Sequence, residues 1–353
     1  AGGLRGEVRV SDLRPLADLL GRPGISGAAT LTLAVRGQPS ALEVKASLSA
    51  RALAGPGWRA ATLAAELAAH RVGGPEARAD LRARGREVAI AGQELTDADL
   101  TGWWQGNGVA GRGGIDLRGG GVAGQHQLAA ELTLGADQRR MTITKLRFDH
   151  EGESWVAVGT PVLVQRGARI TIDDLGVRSG RGSGRLRGVI TASGPNDLEL
   201  VVEALDLQAL AGLVPAEVTG RLDGRAHLGG TLAVPRLDAD VTVATPMLGG
   251  VRYQELRARV AAGEGRVELH GRLAQAAEQA LLVDGSAPAR FTLTPWHFEL
   301  TGDLGGRLRA AGIDLAFLGS LWPGLVTKVG GTLTGDVTVG GPLAAPEARG
   351  TLV

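Results

Sequence analysis

The sequence predicts a mostly antiparallel β protein with a few short helices. Three observations lead to this fold class: apolar residues alternate with polar or small ones, glycine- and proline-rich turns separate the alternating segments, and one type of segment recurs. A period of two is typical of a strand that buries one face, and regularly spaced turns favour antiparallel pairing. We expect one continuous repeat-built β region over residues 1–353, with approximate units 1–100, 101–205, 206–313 and a truncated 314–353.

The alternation identifies the apolar face of each predicted strand. Turns separate these strands at Gly37-Gln38-Pro39, Gly194-Pro195 and Gly340-Gly341-Pro342. If the apolar sides of the strands line a common groove, the candidate lining residues are Leu31, Leu33, Val35, Leu132, Leu134, Ile170, Ile172, Val241, Val243, Phe291, Leu293, Val337 and Val339.

Three segments interrupt the alternation and predict helices of about two turns. They cover residues 13–20, 207–213 and 315–322, and each follows an aspartate suited to an N-cap, Asp12, Asp206 or Asp314. Leu315, Leu318, Leu321 and Trp322 of the last segment are candidates for a helical plug over the sheet. Residues 60–69 are ambiguous, because alanine favours a helix while the leucines there also fit a strand.

An internal repeat is the most informative feature of the sequence. The stretch that starts at Val218 aligns without a gap with the stretch that starts at Val329, and a Gly-x-Leu-x-Gly element in both copies also occurs at residues 184–188. A repeating unit of this size buries its apolar face only by stacking on its neighbours.

Composition excludes several classes of protein. The 353 residues carry a net charge of +1, so no long-range field attracts a nucleic acid, and we expect no nucleic-acid partner. The absence of cysteine excludes disulfides, thiolate metal sites and cysteine catalysis. No apolar run is long enough to span a bilayer as a helix. Both ends of the sequence lie inside patterned stretches, so we expect a fragment whose membrane anchor lies outside it.

The candidate chemical sites in the sequence are weak, and we predict no enzyme activity, catalytic residue, metal site or cofactor. Residues 106–111 match the dinucleotide-binding pattern Gly-x-Gly-x-x-Gly, but a strand follows where a helix should begin. The six histidines have no metal-ligand spacing and are expected to face solvent. The acidic group around His150 is expected to be a polar hairpin tip.

The repeat resembles those of TamB-like proteins, within the AsmA-like group. The elements that carry the resemblance are Asp-Leu-x-x-Leu-x-x-Leu-x-Pro at 206–215, Gly-x-Leu-x-Gly, and Gly-Gly-x-Leu-x-x-Pro, together with the stretches 100–119 and 152–161. The resemblance implies an elongated, arched antiparallel β-sheet, shaped like a groove or taco, that spans the periplasm of a Gram-negative cell. It also implies movement of phospholipid between the inner and outer membranes and support of outer-membrane protein assembly.

Other implications of the resemblance concern regions outside this sequence. TamB-like proteins carry an inner-membrane anchor and a domain that meets an outer-membrane assembly partner, and neither segment is recognisable here. The alternative is a structural or adhesive β-solenoid or sandwich with a filled core, since most alternating strands face a core. Unpaired strand edges also predict edge-to-edge self-association at high concentration.

Overall fold

The computed structural model describes residues 3–21, 24–38, 41–72, 74, 76–90, 93–107, 109–122, 124–150, 152–210, 219–248, 250–293, 296–314, 331–342 and 345–353. The structure is 80% strand and 3% helix, and the strands pair antiparallel, so the predicted fold class is confirmed. The chain forms two compact units, Ala1–Gly167 and Ala168–Val353.

The first unit is an antiparallel sheet in which each strand from β1 to β9 pairs with the next, and β10 and β11 both pair with β9. Its strands are β1 Gly3–Val10, β2 Ser26–Gln38, β3 Ala41–Gly55, β4 Trp58–Val72, β5 Arg78–Ile90, β6 Gln93–Gly106, β7 Gly111–Gly121, β8 Gly124–Leu134, β9 Arg139–His150, β10 Glu153–Val158 and β11 Val162–Arg166.

The second unit is also antiparallel. Its strands are β12 Arg169–Ser179, β13 Gly182–Thr191, β14 Asn196–Asp206, β15 Thr219–Gly230, β16 Pro235–Leu248, β17 Val251–Arg252, β18 Glu255–Gly263, β19 Arg266–Ala274, β20 Ala280–Leu293, β21 Trp296–Leu300, β22 Asp303–Asp314, β23 Thr332–Pro342 and β24 Glu347–Leu352. Pairing follows chain order from β12 to β24, except that β17 pairs only with the end of β16 and β21 only with the last part of β20.

The predicted helices are only partly found. Helix α1, Arg14–Leu19, begins after Leu13 rather than Asp12, although the Asp12 carboxylate accepts the Arg14 backbone N–H at 3.1 Å. A single 3-10 turn, Leu207–Leu210, occupies the start of the second predicted helix, and Asp206 accepts the Gln208 N–H at 3.0 Å. The third predicted helix, with its candidate plug, lies outside the described residues.

The ambiguous segment 60–69 is part of strand β4. Leu63, Ala65, Leu67 and Ala69 alternate along one face and pair in register with β3 and β5. Cross-strand pairing on both sides therefore overrides the helix propensity of alanine, as tertiary contacts commonly do.

The Gly-x-Leu-x-Gly element has a consistent structural role in the second unit. In each of its three copies the central leucine pairs with the residue that follows a β-bulge in the preceding strand: Leu175 with Leu186, Leu205 with Leu222, and Ile313 with Leu333. The residue just before this partner has a positive φ: Asp174 at 51°, Ala204 at 49° and Gly312 at 58°. Each copy of the sequence repeat therefore lies opposite a β-bulge at the same register position.

Side chains of the repeat support two of these bulges. The Ala204 N–H donates to the Asp223 carboxylate at 2.9 Å, and the Gly312 N–H donates to the Thr334 hydroxyl at 3.0 Å. A bulge leaves one residue outside the ladder, so a side-chain acceptor for its N–H offsets the lost backbone pairing.

Each unit has a buried cluster where bulges lie. In the first unit the cluster contains Ala50, Leu53, Ala60 and Val88, next to the positive-φ residues Ala52 and Glu87. In the second unit the buried residues are Leu248, Tyr253, Leu273, Leu281, Ala310 and Ile313. Ile313 has no exposed surface, and the Tyr253 hydroxyl donates to the Asp314 carbonyl at 3.0 Å. The core of each unit thus lies towards one end of its strands.

Replacing Ala204 by glycine should increase the stability of the second unit. Glycine adopts positive φ without the steric cost that alanine has there, about 1 kcal/mol, and Ala204 is exposed, so little packing is lost. Chemical denaturation measures the change. Ala226→Gly, at a regular β15 position, is the matched control and should lower the stability instead. A lower stability for Ala204→Gly would contradict the role assigned to the bulge.

Candidate functional site

The first unit has one sheet face on which four adjacent rows of paired residues carry no charged side chain; this is called the uncharged face, although Arg139 and Glu153 lie beyond these rows at the strand ends. A central row of paired residues crosses β1 to β9 and consists of Val8, Leu31, Leu48, Ala65, Ala83, Leu100, Leu117, Leu128 and Leu146. The three neighbouring rows on the same face, which start at Leu4, Gly6 and Val10 of β1, contain aliphatic, glycine and aromatic residues and one histidine, His126. Consecutive residues of a strand point to opposite faces, so this face is set by the alternation.

The second unit repeats this arrangement on its own sheet. A row across β12 to β24 consists of Leu175, Leu186, Leu200, Ala226, Ala239, Val260, Leu269, Gly285, Gly306, Val339 and Ala348. The next row contains Val202, Val241, Val283, Leu308 and Val337, and the described residues of both rows include no charged side chain.

The opposite face of each sheet carries the charges, and many of these are paired across strands. One row of the second unit reads Val201, Arg225, Asp240, Arg259, His270, Asp284, Arg307, Thr338 and Arg349. His270 Nδ1 lies 2.9 Å from Asp284 Oδ1, and Arg307 Nε donates to Asp336 at 2.8 Å. In the first unit Arg84 Nε donates to Asp99 at 2.7 Å. Exposed ion pairs stabilise weakly, so their main consequence is to mark the solvated side.

The ion pairs also shift acid–base equilibria. The hydrogen bond from Arg307 lowers the pKa of Asp336, and the same contact raises the pKa of Arg307. The hydrogen bond from Arg118 likewise lowers the pKa of Asp116. Both carboxylates therefore stay ionised near neutral pH, which keeps this side of each sheet strongly hydrated.

The uncharged face is exposed in its middle and closed at the bulge end. Leu200 and Leu269, in the central row of the second unit, are 41% and 40% exposed, whereas Leu273 and Leu281 of the buried cluster are almost fully covered. In the first unit Leu31, Leu67 and Leu117 are likewise exposed in mid-strand. Large apolar side chains with this exposure are uncommon when they form a contiguous set, and such sets mark sites of interaction.

The predicted lining residues fall on these faces. Leu31, Leu33, Val35 and Leu132 lie in the charge-free rows of the first unit, and Leu134 lies in the adjoining row, opposite Arg139 in the register. Ile170, Ile172, Val241, Val243, Val337 and Val339 share the uncharged face of the second unit, while Phe291 and Leu293 lie on the hairpin of β20 and β21. Val243 differs from the exposed members because it is only 3% exposed, within the closed end.

Two hollows of the first unit do not coincide with the predicted lining. One, of about 930 Å³, is lined mainly from the charged face, by residues such as Lys45, Glu66, Asp80 and Arg82. Another, of about 570 Å³, lies at the bulge end around Leu53 and Val88. A third, of about 350 Å³, includes Leu134 of the predicted lining.

The weak chemical motifs have ordinary structural roles. Gly106 and Gly111 of the glycine motif pair with each other at the end of β6 and the start of β7, and the Asn107 side chain accepts the N–H groups of Val109 and Ala110 at 2.9 and 2.7 Å. Asp149 accepts the Gln125 N–H at 2.9 Å, beside the hairpin of β9 and β10. In the part of the chain that the structure describes, no three metal-ligating side chains come together.

His126 is not on the solvated, charged face where the sequence predicts it. It was expected to face solvent, but it lies on the uncharged face beside Phe148, and its Nε2 is buried without a hydrogen bond among the described residues. His227 and His270 are exposed on the charged faces, as expected. The run Gln125-His126-Gln127 in β8 gives no signal that separates these cases.

Comparisons with known proteins do not assign this chain to a family. No protein-family model matches the chain, and no curated protein matches it. Of the described helices, none has the length and apolar character that a membrane-spanning segment requires.

Acidification should destabilise the first unit partly through Asp149. The hydrogen bond from the Gln125 N–H lowers the pKa of Asp149 in the folded state, so its stabilising effect is present above the unfolded pKa of about 4 and is lost as the pH falls through the lowered value. Denaturation at pH 7 and pH 3 should show a smaller loss of stability for Asp149→Asn than for the unmodified chain. Asp137→Asn, in the exposed turn after β8, is the control. Equal losses for all three proteins would contradict this role.

Proposed function

We propose that the uncharged faces bind the acyl chains of phospholipids and that this chain is part of a lipid conduit between the inner and outer membranes. The observation that carries the proposal is the combination of charge-free rows across each sheet, with exposed leucines at their centre, and paired charges on the opposite face. Each sheet has one apolar face and one charged, hydrated face. Such a sheet suits an amphipathic ligand, whose apolar part covers the apolar face while its polar part stays in water.

The energetics favour such a surface. Moving a diacyl lipid through water exposes about 30 methylene groups at about 0.8 kcal/mol each, on the order of 24 kcal/mol. Contact with a continuous aliphatic face removes part of this cost at every position along the sheet. Leucine and valine side chains in the rows are interspersed with alanine and glycine, so the aliphatic surface continues from strand to strand.

The dimensions of the face also suit an acyl chain. Four rows, each two residues from the next, extend about 20 Å along the strands, and one bilayer leaflet contributes about 15 Å of hydrocarbon. The buried cluster closes one strand end. We therefore place the lipid tails over the exposed middle rows and the headgroup in water, away from the bulges.

The cellular setting follows from the resemblance to TamB-like proteins and remains part of the proposal. We place the chain in the periplasm, anchored to the inner membrane by a segment outside this sequence. It acts without catalysis, and it supports outer-membrane protein assembly through a partner that other regions contact.

A structural or adhesive protein with a filled interior is the second candidate. The buried clusters around Leu53 and Ile313 favour it, since they pack side chains against side chains. Lipid extraction and mass spectrometry of the purified chain separate the two: phospholipid at a fixed ratio supports the conduit, and its absence supports the filled interior.

A charge on the uncharged face should block lipid binding. Leu200→Glu introduces a carboxylate among exposed apolar residues, where contact with an acyl chain would desolvate it, so we expect about tenfold less bound lipid. Lipid extraction and transfer between donor and acceptor vesicles measure the effect.

The matched control is Val201→Glu, on the charged face between Arg185 and Arg225 in the register. It adds the same charge at the next residue and should leave lipid binding unchanged. Equal binding by both variants and the unmodified chain would contradict the proposal.

A larger side chain at Gly285 should obstruct the same face. A Cβ at Gly285 meets nothing within 4 Å, so Gly285→Leu should fold normally while projecting into the space proposed for lipid. We expect slower lipid transfer between vesicles at unchanged thermal stability. Gly305→Leu, on the opposite face beside Ser286, is the control and should transfer lipid at the normal rate. A normal rate for Gly285→Leu would show that lipid takes another path.

A further inference from the structure

The hairpin of β20 and β21 continues beyond the part of β20 that pairs with β22. Residues 280–286 of β20 pair with β22, but residues 289–293 pair with β21 alone. The outer edge of this part of β20 is fixed by two backbone bonds, from the Ala289 N–H to the Gly265 carbonyl at 2.8 Å and from the Leu293 N–H to the Leu232 carbonyl at 2.9 Å. The hairpin is thus held beside the turns that follow β15 and β18.

The hairpin has two chemically distinct faces. Ala289 pairs with Leu300 and Phe291 with Phe298 on one face, while Arg290 lies opposite Glu299 and Thr292 opposite His297 on the other. The rings of Phe291 and Phe298 meet edge to face at 6.4 Å. Phe298 is 47% exposed. The whole sequence contains only four phenylalanines, so two of them on one hairpin face concentrate a scarce residue type.

The apolar face of the hairpin is continuous with the face proposed to bind lipid. Leu281, Val283 and Gly285 of β20 lie in the uncharged rows, and alternation places Phe291 and Leu293 on the same side of this strand. On the reverse side Arg290 is offset by Glu299, so the hairpin presents no net charge that would select a charged protein surface.

We propose that this hairpin docks in the interfacial region of a lipid bilayer, an inference that rests on the proposed function. Aromatic side chains favour that region because they offer an apolar ring at the level of the headgroups. Residues 289–293 extend about 17 Å, roughly half the hydrocarbon core of a bilayer, and Arg290 and Glu299 lie on the reverse side, so the hairpin rests at the headgroup level and does not cross. Lipid would pass from that leaflet onto the uncharged rows of β20 without crossing water.

Flotation of the full chain with phosphatidylcholine vesicles tests the inference. The unmodified chain should float with the vesicles, and Phe298→Ser should reduce the bound fraction about tenfold, because an exposed ring is lost from the contact. Phe298→Tyr should restore binding, since tyrosine retains the ring. His297→Ser, next in sequence on the polar face, should bind normally.

The outcomes separate this inference from the proposed function. Vesicle binding that Phe298→Ser leaves unchanged, or no vesicle binding by the unmodified chain, overturns the hairpin inference, while lipid extraction that is sensitive to Leu200→Glu still supports the conduit. A Phe298→Ser variant that turns a dimer into a monomer without changing vesicle binding also overturns the inference and assigns the hairpin to a second copy. Thermal unfolding at the normal temperature shows that each variant is folded.

Discussion

Segregation of charge to one side of the pleat is the constraint on which the rest of the structure depends. Antiparallel pairing carries the side of each residue from strand to strand, so that Leu31 of β2 and Leu146 of β9 lie on the same face seven strands apart. A slip of one residue anywhere would place arginines in the apolar rows, and this cost specifies the register strongly. The short turns allow little freedom for such a slip.

The bulges modify this pattern at one place in each affected strand. An extra residue bends the strand and increases its local twist. In the second unit the residue after the bulge is turned onto the core side, as at Leu205 and Ile313. The bulges therefore convert an exposed apolar face into a buried cluster at one end of the strands. The open middle rows and the closed end are two consequences of one alternating pattern.

Much of the fold could be predicted from the sequence, because alternation reports directly which residues share a face. The strands around Leu31, Val241 and Val337 and the antiparallel class follow from it. The bulges could not be predicted, since their sequences have little in common: Asp173-Asp174, Glu203-Ala204 and Ala311-Gly312. The three bulges share only their cross-strand partner, the Gly-x-Leu-x-Gly element. A sequence pattern along one strand does not show which residues pair with it.

The same limit applies to the site. The lining residues were predicted by type, but the difference between exposed Leu200 and buried Val243 depends on distance from the bulge. The position of His126 on the uncharged face depends on the register of β8 against β9. The hairpin of β20 and β21 could be anticipated from its aromatic residues, but its departure from the sheet could not, because it requires knowing where β22 stops pairing.

The two-residue period also limits how such a chain can change in length. Inserting or deleting one codon within a strand moves every side chain up to the next turn to the opposite face of the sheet, whereas a change of two codons keeps each side chain on its face. A bulge absorbs a single extra residue because its left-handed backbone restores the sides beyond it. Positions such as Ala204 are therefore the places where this sheet accommodates one extra residue, whereas elsewhere in a strand only a change of two residues keeps every side chain on its face.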